Sequence, residues 1–127
     1  MYPTDRRYTK QHEWVLVEGE VATIGITDYA QDQLGDIVYV ELPEAGQTAA
    51  REEVLGTIES VKAVSEIFAP ISGTVTEVND ALDGAPDFVN KEPHAGGWYC
   101  KMQVGDPAEL DGLMEASAYE EWVASSA

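Results

Sequence analysis

The chain has 127 residues and is strongly acidic, with 24 Asp and Glu against 7 Lys and Arg and a formal net charge of −17 at pH 7. Nucleic acids and anionic membrane surfaces both attract cationic proteins, so this charge argues against either as a partner. A hydrophobic content of 44% is typical of a folded protein. The length predicts one domain over residues 1–127, with a core that needs no metal or disulfide.

The single cysteine, Cys100, excludes an internal disulfide and fits a reducing compartment. The first residues contain no apolar run of the kind that a secretory signal needs, and no stretch approaches the length of a membrane span. We therefore expect a protein of the cytoplasm. Two explanations of the acidity stay open, namely adaptation to high salt and electrostatic steering toward basic partners.

Short strand-forming runs separated by Gly and Pro turns dominate the first half of the sequence. These runs are residues 13–18, 21–26, 37–42, 54–58 and 64–68. Residues 27–35 differ from them and are predicted to form a short helix, with Thr27 as its N-cap and Gly35 at its end.

Residues 70–73 are predicted to turn the chain into a further strand at residues 74–78. The substitution Gly73→Val is expected to be destabilising if Gly73 has a positive φ. Asn79 is predicted to cap a helical turn, and residues 86–97 are predicted to be a loop.

A last strand is predicted at residues 98–102, where alternation would place Trp98, Cys100 and Met102 on one face. Two capping boxes, which begin at Asp106 and Ser117, then indicate helices near the C-terminus.

Tyr119, Trp122 and Val123 lie at helical spacing and predict a stripe that packs on a sheet. Many short strands without alternating helices favour a mostly β sandwich or barrel, with short flanking helices and a C-terminal helix.

Lys62 is the only Lys or Arg between Arg51 and Lys91, an interval that holds eight Asp or Glu. It lies at the predicted tip of a hairpin that lacks the Gly or Asn usual in turns. An amine at such a tip is exposed, and acylation would remove its charge. We therefore interpret Lys62 as the attachment point of a covalent cofactor, although an exposed tip lysine more commonly serves only solubility.

The segment around Lys62 resembles the lipoylation segment of the glycine cleavage H-protein family. That segment is residues 56–73, with the sequence GTIESVKAVSEIFAPISG. Three further stretches resemble the same family: residues 12–14, residues 25–31 with 34–38, and residues 89–90 with Pro93 and 97–98. The resemblance covers nearly the whole chain.

This resemblance implies a flattened β-sandwich, or barrel-sandwich hybrid, of the lipoyl-carrier type. It implies that Lys62 carries lipoic acid as an N6-lipoyl-lysine. Glu59, Ser60, Val61 and Ala63 would then form the segment that the attaching enzyme recognises.

The family also implies a carrier protein without enzyme activity of its own. A carrier of this kind receives an aminomethyl group from glycine decarboxylase (P protein) and delivers it to an aminomethyltransferase (T protein). Dihydrolipoyl dehydrogenase (L protein) reoxidises it by thiol–disulfide exchange. Lipoyl-attaching enzymes are further partners, and a monomer is expected.

Two carboxylates beside apolar strands, Glu13 and Asp28, are candidates for a cleft that holds the loaded arm. An ordinary role, as exposed charges or as a helix first-turn charge, is an equally good interpretation. His12 and His94 have no companion ligands at metal spacing, so no metal site is predicted. Cys100 has an apolar context and is expected to be buried rather than nucleophilic.

Three other functions compete with the shuttle. A free-standing enzyme is disfavoured, because the sequence shows no nucleophile–base pair and no acid pair. An H-like protein that relays lipoyl groups to other enzymes would have almost the same sequence. A biotin carrier would also use a hairpin lysine, but its lysine usually has Met on both sides, whereas Val61 and Ala63 flank Lys62.

Overall fold

A computed structural model describes residues 2–126, and Met1 and Ala127, the ends of the predicted single domain, lie outside the described residues. The polypeptide forms two antiparallel sheets. The larger has six strands in the order β1-β2-β3-β9-β8-β5, and the smaller has three in the order β4-β6-β7.

The larger sheet is built from short strands of two to six residues. They are β1 (Arg7–Tyr8), β2 (Glu13–Glu18), β3 (Val21–Ile26), β5 (Thr48–Ala49), β8 (Gly73–Val78) and β9 (Cys100–Val104). The smaller sheet contains β4 (Ile37–Glu41), β6 (Val54–Ser60) and β7 (Val64–Phe68).

Four short α-helices and one 3₁₀ helix flank these sheets. They are α1 (Asp28–Leu34), α2 (Ala81–Gly84), α3 (Phe88–Lys91), the 3₁₀ helix (Pro107–Gly112) and α4 (Ala116–Ser126). Thr27 caps α1 as predicted, because its hydroxyl accepts the N–H of Ala30 at 3.2 Å.

The main core lies between the two sheets. Ile24 and Met102 of the larger sheet pack in one buried cluster with Val40, Ile58 and Ile67 of the smaller sheet. Two sheets that bury their facing sides against each other define a sandwich, so the predicted fold class is confirmed.

A second cluster joins the C-terminal helix to the outer side of the larger sheet. Tyr119 packs there with Tyr8 and Trp14, and Trp122 and Val123 extend the contact, which confirms the predicted stripe. The Tyr119 hydroxyl lies 2.7 Å from Thr27 Oγ1, so this helix is also tied to the start of α1.

The strand predicted at residues 98–102 begins only at Cys100. Cys100 and Met102 do face the main core, but Trp98 packs against the second cluster. The prediction of one shared face was wrong, because Trp98 still belongs to a turn in which its N–H bonds to Ala95 O at 3.2 Å.

Neither predicted capping box forms as a whole, for different reasons. Asp106 does cap the 3₁₀ helix, but Glu109 accepts hydrogen bonds from Ser72 N at 2.7 Å and Ser72 Oγ at 2.9 Å. Ser117 lies inside α4, which begins one residue earlier.

Asn79 does not cap α2. Its amide donates to Gly96 O at 2.9 Å and Trp98 O at 2.8 Å, and Asp80 occupies the cap position. The predicted loop at residues 86–97 contains α3, which buried Val89 anchors in the main core. The two-residue strands β1 and β5 were missed because they are too short to show alternation.

Gly73 is needed for space rather than for its backbone angles. It is not among the residues with positive φ, so that reason was wrong. A Cβ at this position would instead collide with the backbone carbonyl of Gln103 on the neighbouring strand.

We therefore predict that Gly73→Ala lowers the free energy of unfolding by about 1–3 kcal/mol, because a backbone carbonyl cannot move aside cheaply. Gly84→Ala is the control, since a Cβ there meets nothing within 4 Å. Urea unfolding followed by tryptophan fluorescence measures both. Equal stability of the two variants would contradict the steric explanation.

Candidate functional site

Lys62 lies at the tip of the hairpin that β6 and β7 form, and its side chain is exposed. The last strand pair is Glu59 with Val64, and Ser60 N–H donates to Ala63 O at 2.8 Å. Only Val61 and Lys62 therefore stand between the two closing residues of the hairpin.

The Ser60 hydroxyl organises this tip. It is almost buried and accepts hydrogen bonds from Ala63 N at 3.1 Å and Lys62 N at 3.3 Å. Its Oγ lies 3.2 Å from Ala63 O, to which it donates. A side-chain oxygen thus satisfies the backbone groups of the turn, which explains how the tip forms without Gly or Asn.

The tip also rests on residues 35–37, which run from the end of α1 to the first residue of β4 and which we call the ledge. Val61 N–H donates to Asp36 O at 3.0 Å. Gly35 has φ 79° and ψ −156°, a conformation that essentially only glycine adopts. A Cβ on Gly35 would lie 3.5 Å from Lys62 Cε, so the lysine stem lies across the ledge.

Exposed apolar side chains lie on the hairpin that carries the lysine and on the strand beside it. Tyr39, Glu59 and Val64 form one row across β4, β6 and β7, and all three side chains are exposed. Val61 is 68% exposed and Val64 63% exposed, values that are high for valine. Apolar side chains clustered on a surface in this way are typical of a site that contacts another protein.

The predicted recognition residues therefore divide into two groups. Glu59, Val61 and Ala63 are exposed, where an enzyme could contact them. Ser60 faces inward and acts on the turn. The sequence indicated the segment but not this difference, because nothing in the spacing shows which hydroxyl bonds to the backbone.

A cavity of about 280 Å³ lies at the other end of β7. Its walls include Thr9, Lys10, Glu13, Arg51, Glu52 and Phe68. The two loops that supply most of these residues also contain His12 (φ 70°) and Glu52 (φ 74°), the non-glycine residues with positive φ in the described part of the chain. Strained backbone of this kind concentrates at functional sites.

Glu13 is 1% exposed and has no cationic partner within salt-bridge distance in the described residues. Its carboxylate accepts hydrogen bonds from Thr9 Oγ1 at 2.7 Å and from Phe68 N at 3.2 Å. Burial raises the pKa of Glu13 to about 7, and the two hydrogen bonds only partly oppose that shift.

Asp28 lies elsewhere, at the start of α1, and is not among the residues that line this cavity. Its N–H donates to His94 Nε2 at 3.1 Å, and its carboxylate accepts from Gln31 Nε2 at 2.9 Å. The ledge and Lys62 are at the opposite end of the same helix. The assignment of Asp28 to a cleft stays a prediction.

The surroundings of the other candidate residues, His12, His94 and Cys100, favour a structural role for each. Burial lowers the pKa of both His12 and His94, and His12 Nδ1 lies 2.7 Å from the Tyr119 hydroxyl. Cys100 is buried, and burial raises the pKa of its thiol to about 12. Residues 2–126 contain no group of three or more His, Cys, Asp or Glu arranged to hold a metal.

The fold is a β-sandwich of the lipoyl-carrier type, with one exposed lysine on a tight hairpin. The sequence signature described as Glycine cleavage H-protein matches residues 6–126. The chain belongs to this family.

Individual relatives agree with this assignment. The chain is 56% identical over 120 residues to a glycine cleavage system H protein of Phenylobacterium zucineum, with 94% of this chain and 99% of the relative covered. It is 50% identical over 119 residues to the glycine cleavage system H protein of Thermotoga maritima, with 94% of this chain and 96% of the relative covered. The crystal structure of the H protein from Mycobacterium marinum superposes with a TM-score of 0.84 at 38% identity, with coverages of 94% and 97%.

Within the described residues, no helix is both long enough and apolar enough to cross a bilayer.

The raised pKa of Glu13 predicts a pH-dependent stability. The usual value is 4.5 and the folded value is about 7, so the folded protein holds this proton more tightly than the unfolded chain. The free energy of unfolding should therefore fall as pH rises from about 4.5 to 7, by up to roughly 3 kcal/mol.

Glu13→Gln cannot ionise and should lack this fall, whereas Glu18→Gln, at the exposed end of the same strand, should retain it. Urea unfolding of the three proteins at pH 5 and pH 8 measures the effect. A stability difference between wild type and Glu13→Gln that is the same at both pH values would contradict the prediction.

Proposed function

We propose that this protein is the lipoyl-bearing shuttle of the glycine cleavage system and that Lys62 is its attachment residue. One observation supports this most directly: an exposed lysine occupies a hairpin tip that Ser60 and the ledge both hold in place. A modifying enzyme needs an unhindered amine at a fixed location, and this tip supplies one.

The surroundings of Lys62 fit an N6-lipoyl-lysine. Within residues 2–126 its amine takes part in no ion pair, so acylation would break no salt bridge. The exposed side chain leaves room for a bulky acyl chain to extend into solvent. When bound, a lipoyl group supplies a cyclic disulfide that accepts the aminomethyl group and later returns to the oxidised form.

The partners are then glycine decarboxylase, the aminomethyltransferase, dihydrolipoyl dehydrogenase and the lipoyl-attaching enzyme. The exposed row that contains Tyr39 and Val64 supports this proposal, because each partner must approach the tip closely. Glu41, Glu59 and Glu66 project from the same sheet and take part in no ion pair among the described residues. They would steer enzymes that carry basic patches beside their active sites.

The cavity beside Glu13 is the proposed resting place for the loaded arm. Strand β7 begins two residues after Lys62 and runs to this cavity, and its four residue steps span roughly 13 Å. A long flexible arm on Lys62 would have to extend along this strand to reach the cavity. Glu13 and Thr9 would offer hydrogen-bond acceptors to an amine there. The buried part of the wall, which includes Thr9 and Glu13, would help to keep water away from a group that water hydrolyses.

We further propose that the chain is a carrier without catalytic activity and that it acts as one domain and as a monomer in the cytoplasm. The catalytic groups then belong to the partner enzymes. The tether raises the effective concentration of the reactive group at each docked active site.

Two measurements separate this function from its alternatives. Intact mass after native expression distinguishes a lipoyl adduct from a biotin adduct. Reconstitution with purified glycine decarboxylase then tests the shuttle against a lipoyl relay. Exchange of the glycine carboxyl carbon with bicarbonate is expected, and its absence with fully lipoylated protein would favour the relay.

Lys62→Ala should abolish lipoylation and carrier activity while leaving the free energy of unfolding within about 0.5 kcal/mol of wild type, because the tip lies outside the core. Lys91→Ala, another exposed lysine, is the control and should be lipoylated normally. Intact mass and peptide mapping measure the modification. A Lys62→Ala protein that still supports glycine cleavage would defeat the assignment.

A further inference from the structure

The ledge that supports the tip is itself held by a side chain from a distant part of the sequence. Asn90, on α3, accepts the N–H of Ile37 at 2.8 Å and donates to the carbonyl of Gly35 at 2.9 Å. The carbonyl between these two groups is that of Asp36, which accepts the N–H of Val61. Asn90 and the tip are therefore bound to the same three residues.

The orientation of the Asn90 amide is fixed by its partners. Its Nδ2 also donates to Gln31 Oε1 at 2.9 Å, on α1. Two acceptors face the nitrogen and one donor faces the oxygen, so a flipped amide would lose all three hydrogen bonds. The adjacent Val89 is 1% exposed and fixes α3 in the main core. Asn90 is therefore a rigid link between the core and the ledge.

The ledge has other supports: Ile37 is buried in the main core and pairs with Ser60, and Gly35 N–H donates to Gln31 O at 3.0 Å. Asn90 is the side chain that binds both the Gly35 carbonyl and the Ile37 N–H. Glycine has many allowed backbone conformations, so Gly35 could leave the one observed here. The lysine stem lies directly across this residue. Loss of the Asn90 amide would leave the Gly35 carbonyl and the Ile37 N–H without these partners. The Asp36 carbonyl would then no longer be held in place for Val61.

We propose that Asn90 is a positioning residue for Lys62: it fixes the ledge, the ledge fixes Val61, and the tip thereby presents Lys62 in one conformation. This inference rests on the proposed lipoylation of Lys62. An attaching enzyme that binds only the presented conformation has its apparent affinity reduced in proportion to the fraction of time that the conformation is populated. The effect should therefore fall on KM for the unmodified protein, with kcat nearly unchanged.

The test compares Asn90→Ala with Asn79→Ala. Asn79 is a matched control, because its amide also donates to two backbone carbonyls, those of Gly96 and Trp98, which lie outside the tip and the ledge. Each full-length, unmodified protein is incubated with a purified lipoate–protein ligase, ATP and lipoic acid. Lipoylation is followed by intact mass, at a temperature where urea titration shows all the proteins to be folded.

If the competent conformation falls to a tenth of its population, KM for Asn90→Ala should rise about tenfold, and Asn79→Ala should stay within about twofold of wild type. Amide hydrogen exchange gives a second readout, in which Val61 N–H should exchange faster in Asn90→Ala than in Asn79→Ala. Equal KM and equal Val61 exchange in the two variants would overturn the inference, whatever their stabilities.

Asn90→Asp serves if Asn90→Ala does not fold. It keeps the size of the side chain and the acceptor for Ile37, but it places a carboxylate oxygen against the Gly35 carbonyl. The same rise in KM is expected, and a wild-type KM would refute the role. Wild-type protein that gains no lipoyl mass at Lys62 would instead refute the proposed function itself, so the two failures are distinguishable.

Discussion

The proposed role of Lys62 requires a side chain that is free at its end, where several enzymes would reach it, and fixed at its base. The structure meets this requirement with backbone hydrogen bonds. Lys62 projects from a turn whose own N–H groups bond to the Ser60 hydroxyl, while the preceding N–H bonds to the ledge. The flexibility of the proposed lipoyl arm would therefore begin at the side chain and not in the main chain, which would limit the volume that the arm must search.

The rest of the sandwich helps to hold the base of Lys62 in place. The six-stranded sheet buries its inner face against the three strands that carry the tip, so the hairpin cannot twist independently. Helix α1 is tied through its N-cap residue, Thr27, to Tyr119 of the C-terminal helix, and it ends at the ledge. A rigid path thus runs from the C-terminal helix through α1 to the base of Lys62.

Much of this arrangement could be predicted from the sequence, because strand runs and the helix cap depend on local residues. Segments such as Val21–Ile26 and Asp28–Leu34 were confirmed for that reason. Three of the failures share a cause. Glu109 binds Ser72, Asn79 binds the loop before β9, and Trp98 turns to a second cluster, all through tertiary contacts that spacing does not encode.

The residues of the candidate site divide in the same way, into those that the local sequence indicates and those that only the fold reveals. Lys62 stood out by its isolation among carboxylates, a property that the sequence displays directly. The role of Asn90 could not be read in this way, because its partners lie more than fifty positions away along the chain. Glu13 is an intermediate case, since its type suggested a polar cleft residue, but only the fold reveals the burial that raises its pKa.

The burial of Cys100 has a consequence for a protein that is proposed to bear a reactive disulfide. Thiol–disulfide exchange requires a thiolate that can approach the sulfur under attack. The one cysteine of this chain is inaccessible, and its pKa of about 12 keeps it protonated at neutral pH. A lipoyl disulfide on Lys62 would therefore meet no reductant within its own chain and would form no mixed disulfide with Cys100. Other proteins would then set the redox state of the lipoyl group.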